Sequence, residues 1–206
     1  KVFMRTPQYI IPMRNPKYGD SDRAAQKEGF HDMRKRVQGT FAGFDYDFAG
    51  DSFYNMTPEA RRELMEKVWA DGSLSFWLTL YPEMFTDQKV NDEVSEFVRE
   101  KMRERIKDPV LAEKLIPTSY GFGTHRVPLE NKYLEVYLQP NVETVDCKQT
   151  PIERIVPEGI QTADGQVHEV DAPLNHLPLF ARAGAQIPVA QPPAGALPRF
   201  DDPVSE

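Results

Sequence analysis

The first nine residues, Lys1-Val-Phe-Met-Arg-Thr-Pro-Gln-Tyr9, constrain the chain most. Lys1 to Met4 reads as the end of a buried strand, Arg5 and Thr6 follow at its carboxyl end, and Pro7 stops it because proline has no N–H for the ladder. In a dinucleotide-binding sheet, the carboxyl end of the second strand faces the adenosine ribose. An acidic residue there suits a free 2′-hydroxyl. A guanidinium suits a 2′-phosphate, because it presents several donors in a fixed fork. Arg5-Thr6 therefore points to NADP rather than NAD. The same residues also suit a surface strand end with a solvated arginine.

The remaining pattern alternates prolines with helical stretches. Ile10 to Asn15 reads as extended, since Pro12 and Pro16 exclude regular helix. Asp22 to Val37 reads as a helix that Gly29 weakens. Gly39 to Tyr54 is a loop dense in Gly, Phe and Asp. Thr57-Pro58-Glu59 starts a helix with a hydroxyl at the N-cap, proline in the first turn and an acid at the positive dipole end, and Gly72 ends it. Asn91-Asp92-Glu93 opens the clearest helix, with Val94, Phe97, Val98, Met102 and Ile106 as its apolar stripe and Pro109 as its stop. A short helix follows from Val110 to Leu115. Val142 to Val145, Ile152 to Val156, Gly159 to Thr162 and Gln166 to Val170 read as strands of an antiparallel meander, with turn signals at Pro157-Glu158-Gly159 and Asp164-Gly165.

Composition removes several classes of function. A net charge of -7 argues against a nucleic-acid surface. No apolar run approaches the ~20 residues that span a bilayer, and no secretory signal opens the chain. Cys147 is the single cysteine, so an internal disulfide and a thiolate metal cluster are excluded, and a reducing cytoplasm fits. Asp45, Asp47 and Asp51 share one loop with spacing like calcium ligands, but the twelfth position counted from Asp45 is Met56 rather than glutamate. His31, His168 and His176 are scattered without metal-ligand spacing, so surface or packing roles are expected. Phe41, Phe44, Tyr46, Phe48, Phe53 and Tyr54 suit aromatic packing, or the lining of a substrate entrance. No G-x-S-x-G is present.

The second informative stretch is Tyr120-Gly-Phe-Gly-Thr-His-Arg-Val-Pro-Leu-Glu130. Gly121 and Gly123 permit a tight backbone path, and His125 and Arg126 present two donors side by side. It is not a dinucleotide fingerprint, because position 126 is Arg where G-x-G-x-x-G needs its third glycine. As a bare motif, it also suits a glycine-rich surface turn.

Arg-Thr-Pro-Gln-Tyr at 5 to 9, the helical insertion, Gly-Thr-His-Arg at 123 to 126, and Tyr-Leu-Glu-Val-Tyr and Gln-Pro-Asn-Val within 133 to 142 stand in the order seen in Baeyer–Villiger monooxygenases. Pro151-Ile-Glu-Arg-Ile-Val to Val167-His-Glu-Val-Asp171 resembles that family's return into its flavin domain. The resemblance covers about residues 1 to 171. It implies an α/β fold: a partial Rossmann-like NADPH-binding domain over 1–130 with a helical insertion at about 16–117, followed by a β-meander returning to the flavin domain over 131–171. It also implies FAD and NADPH as cofactors, with O2 and a ketone as substrates and an ester or lactone as product.

By the same resemblance, Arg126 matches the active-site arginine. It would stabilise the flavin peroxide anion and the oxyanion formed on attack, and would hold the nicotinamide. Arg5 and Thr6 match the pair that holds the NADP 2′-phosphate. His125 falls where many members carry a lysine near that phosphate, and neutral imidazole attracts phosphate less than ammonium does. The flavin fingerprint, the NADPH glycine-rich turn and the F-x-G-x-x-x-H-x-x-x-W signature are not in this sequence. The chain is therefore expected to be an internal fragment, with its FAD site elsewhere and no turnover alone.

Ala172 to Pro188 departs from that pattern and, over 172–189, resembles the β-sandwich segment of α-glucosidase-type glycoside hydrolases. Residues 172–206 read as an unrelated, Pro-rich tail. Two alternatives follow: a glycoside hydrolase fragment, resting on the tail alone, or a non-catalytic helical interaction module.

Overall fold

The computed structural model describes residues 1–40 and 43–170. The elements run β1 (Val2–Met4), β2 (Ile11–Pro12), α1 (Asp20–Glu28), α2 (Phe30–Gly39), α3 (Pro58–Asp71), α4 (Ser75–Leu78), α5 (Gln88–Ile106), α6 (Pro109–Leu115), β3 (Leu129–Glu130), α7 (Tyr133–Tyr137), β4 (Thr144–Asp146), β5 (Ile152–Val156), β6 (Gly159–Thr162) and β7 (Val167–Glu169). The chain divides into two compact units, Lys1–Pro151 and Ile152–Glu206. The sequence-based boundary after residue 130 falls inside the first unit, because β4 pairs with β1.

The first unit is helical around short parallel pairs. β1 lies parallel to β4 with Phe3 opposite Val145, and β2 lies parallel to β3 with Ile11 opposite Leu129. β1 is half-buried rather than buried. Val142 to Val145, expected as a meander strand, contributes instead to β4 and the parallel pair. Asp146 then turns the chain, with its carboxylate accepting from the Lys148 and Gln149 amides at 2.9 and 3.3 Å.

α5 organises the core. Its Val94, Phe97, Val98, Met102 and Ile106 are all buried, as their spacing predicts. Each such side chain contributes roughly 1.5–3 kcal/mol of burial. Phe97 stacks on Phe76 and meets Trp69 edge-on. The helix starts earlier than expected, because Asp87 rather than Asn91 is the cap: the Asp87 carboxylate accepts from the Lys89 and Val90 amides at 2.9 and 3.3 Å. It ends at Ile106, before Pro109. Asp108 then caps α6 in the same way.

α3 follows its sequence signature. The Thr57 hydroxyl accepts from the Ala60 amide at 3.3 Å, and Gly72 closes the helix at φ 65°, a left-handed conformation that glycine adopts without Cβ strain. The helix expected from Asp22 to Val37 is two helices, α1 and α2, joined at Gly29, and neither has a buried residue. α4 and α7 are too short to leave a periodic signal.

The second unit, over its described residues, is an antiparallel sheet in the order β5-β6-β7. His168 is buried on β7, with its Nε2 3.2 Å from the Thr162 hydroxyl, so it has a packing role.

Candidate functional site

Parallel pairing brings the carboxyl ends of β1 and β4 to one edge. The Cys147 amide donates to the Met4 carbonyl at 2.9 Å, which extends the pair by one residue. Beyond it, Arg5, Pro7, Lys114, Thr118, Asp146 and Lys148 help to line a cleft of about 470 Å³. Arg5 and Thr6 are exposed. Arg5 makes no hydrogen bond or ion pair with the other described residues, so its guanidinium is free to meet an anion.

The loop 120–126 reaches the same region from another part of the chain. The Tyr120 hydroxyl donates to the Pro7 carbonyl at 2.7 Å, and the Tyr9 hydroxyl donates to the Tyr120 carbonyl at 3.2 Å. Burial raises the pKa of both phenols, so both stay protonated as donors at neutral pH. The Tyr120 ring also meets His125 edge-on, with centroids 4.5 Å apart. Tyr120 therefore touches the segment after Arg5-Thr6 with its hydroxyl and His125 with its ring.

The far side of the loop rests on α5. Asn91 and Ser95, one turn apart, are both buried and both bond to Phe122. A Cβ on Gly121 would stand 2.0 Å from Asn91 Oδ1, so only glycine admits that approach. Gly123 has φ 78°, and a Cβ there would stand 2.9 Å from Trp77 Nε1. His125 and Arg126 are exposed at the end of this path, and Val127 is buried beneath. Arg126 makes no hydrogen bond or ion pair with the other described residues.

The geometry thus ties the segment that follows Arg5-Thr6 to His125 through Tyr120, and Arg126 is next to His125 in the chain. Tyr9, Asn91 and Ser95 carried no functional role in the sequence reading. The available signal was a polar pair at i and i+4 within the apolar face of α5, which asks for buried partners.

Asp45 is paired with Arg36 through two hydrogen bonds, at 3.0 and 2.8 Å, and no metal-ligating cluster occurs among the described residues. No helix of the described residues is long and apolar enough to cross a membrane.

No protein-family model matches the chain. It is 50% identical over 171 residues to the acetone monooxygenase (methyl acetate-forming) of Gordonia sp., which covers 83% of this chain and 32% of that protein. It is 31% identical over 171 residues to a Baeyer-Villiger monooxygenase of Pseudooceanicola batsensis, covering 82% of this chain and 31% of that one. Its fold superposes on the crystal structure of OTEMO in complex with FAD and NADP with a TM-score of 0.79 and 32% identity, again over 82% of this chain and 31% of that one. The chain spans about a third of the length of the curated relatives it matches. The tail at 172–189 lies outside the described residues, and these relatives give its glycoside hydrolase resemblance no support.

Proposed function

We propose that this chain is part of a Baeyer–Villiger monooxygenase, with residues 1–130 as the rear of its NADPH-binding domain and 131–171 as a segment returning toward its flavin domain. The observation that carries the reading is the superposition on the OTEMO structure in complex with FAD and NADP at TM-score 0.79, over 82% of this chain. When bound, NADPH would supply a hydride to FAD, whose reduced flavin would react with dioxygen, so that one oxygen atom would enter a ketone beside its carbonyl and the other would leave as water. No residue of this chain is assigned to FAD.

The residues present fit NADPH. Arg5 is exposed, unpaired among the described residues, and at a cleft by the carboxyl ends of parallel strands, where nucleotides bind open α/β sheets. Arg5 and Thr6 hold the 2′-phosphate. His125, tied to that segment through Tyr120, adds a donor that is charged only when protonated. Arg126 would hold the nicotinamide and would stabilise negative charge that develops on the oxygens of the reaction. The acidic groups of the cleft, Glu113 and Asp146, repel phosphate and so restrict where an anion sits.

The test is binding of NADP+ and NAD+ to the chain and to its Arg5→Ala variant, followed by calorimetry. Arg5→Ala should lose about tenfold or more in NADP+ affinity, the scale of one charge-assisted contact, with little change for NAD+. Equal losses for both nucleotides would remove the 2′-phosphate assignment.

A further inference from the structure

We propose that Asn91 is a positioning residue for Arg126, acting through the backbone of the Gly121-Phe122-Gly123 loop. The inference rests on the role given to Arg126 above. Asn91 is 7% exposed and Ser95 is fully buried. Asn91 Nδ2 donates to the Phe122 carbonyl at 2.8 Å and to the Met84 carbonyl at 3.2 Å. Asn91 Oδ1 accepts from the Ser95 hydroxyl at 3.1 Å, and Ser95 Oγ accepts from the Phe122 amide at 2.8 Å.

Both backbone polar groups of Phe122 therefore end on these two side chains, which fixes the peptide planes on either side of it. The side-chain amide of Asn91 has one allowed orientation. Rotated by half a turn, it would set Oδ1 against two carbonyls and leave the Ser95 hydroxyl facing an NH2. Gly121 supplies the space for Oδ1. Thr124 closes the turn, its hydroxyl donating to the Gly121 carbonyl at 2.8 Å.

Two residues later stands Arg126, with no side-chain partner among the described residues to orient it. Its direction is inherited from the backbone, which is anchored at Phe122 on one side and at buried Val127 on the other. A hydrophobic residue at position 91 would fill the α5 face at lower desolvation cost, yet it would leave the Met84 and Phe122 carbonyls unbonded. Asparagine at that place thus serves the loop rather than the helix.

Asn91→Asp keeps the shape and removes both donors. The experiment measures NADP+ affinity for the chain, Asn91→Asp, Arg126→Ala and the double variant, with thermal melts of each and hydrogen exchange of the Phe122 amide. The expected result is faster Phe122 exchange in both proteins that carry Asn91→Asp. NADP+ should be weakened about tenfold by Asn91→Asp when Arg126 is present, and unchanged by it in the Arg126→Ala background. Equal weakening in both backgrounds, or none in either, overturns the inference: a merely structural residue gives additive losses. Should Asn91→Asp fail to fold, Ser95→Ala in the same two backgrounds carries the test, with the same outcomes. An Arg126→Ala chain that binds NADP+ as well as its parent has a different signature. It defeats the Arg126 role itself, and this inference with it.

Discussion

Tyr9 and Tyr120 meet edge to face with ring centroids 5.3 Å apart, and the Tyr9 hydroxyl donates to the Tyr120 carbonyl while Tyr120 donates to the carbonyl of Pro7. The two residues lie 111 positions apart in the chain. Each hydroxyl thus holds the backbone of the other's segment, and the segments so joined carry Arg5-Thr6 and His125-Arg126. Helix α5 stands beneath them, with Arg99 5.6 Å from the centre of the Tyr9 ring.

Tyr120→Phe keeps the ring and removes the 2.7 Å bond to Pro7. We expect a loss of about 1 kcal/mol in urea unfolding, the net value of one such bond. NADP+ affinity should fall as well, since the two cationic segments are no longer tied. Unchanged NADP+ affinity at reduced stability would mean that the tie serves folding alone.

Gly121→Ala and Gly39→Ala should act in opposite directions. At Gly121, the added methyl meets Asn91 Oδ1 and forces the loop off α5, at a cost of about 1–3 kcal/mol. At Gly39, in the last turn of α2, nothing lies within 4 Å, so alanine should gain about 0.5 kcal/mol by restricting the unfolded chain. Denaturant midpoints of the two variants check both signs.

Acid should destabilise the first unit through Glu135 and Glu83. The hydrogen bonds from Arg105 lower the Glu135 pKa, and the hydrogen bond from Ser52 lowers that of Glu83. A carboxyl held below its unfolded value contributes stability above the ordinary carboxylate range, and that stability is lost as pH falls through the folded value. The urea midpoint should therefore drop as pH falls below about 4. Glu135 is 44% exposed, so its share should shrink in high salt. Glu135→Gln should flatten part of the acid limb, and an unaltered limb would place the effect elsewhere.

Local chemistry was legible wherever a residue acts on its own neighbours. The Thr57-Pro58 start and Gly72 stop of α3 depend on hydrogen bonds within four residues. The apolar stripe of α5 follows from helical periodicity. The start of α5 was misplaced because two acidic caps compete in sequence, and only hydrogen bonding selects Asp87 over the Asn91-Asp92-Glu93 run. Gly29 was legible as a weakness, but not as a break.

Pairing over long separations was not legible. Thr144–Asp146 has the composition of any short strand, and nothing within it states that its partner is Val2–Met4 rather than the strand that follows. The role of Asn91 was hidden for the same reason: its partners, Met84 and Phe122, lie on other elements.

The sequence by itself determined the cap and stop of α3, the apolar face of α5, the glycines that permit the 121–123 path, and the basic residues placed at two separate points. These are set by covalent geometry and by interactions within a few residues. The tertiary structure alone decided that the segments carrying them are tied together, because that requires Tyr9, Tyr120, Asn91 and Ser95 to find backbone partners that only packing brings within hydrogen-bond reach.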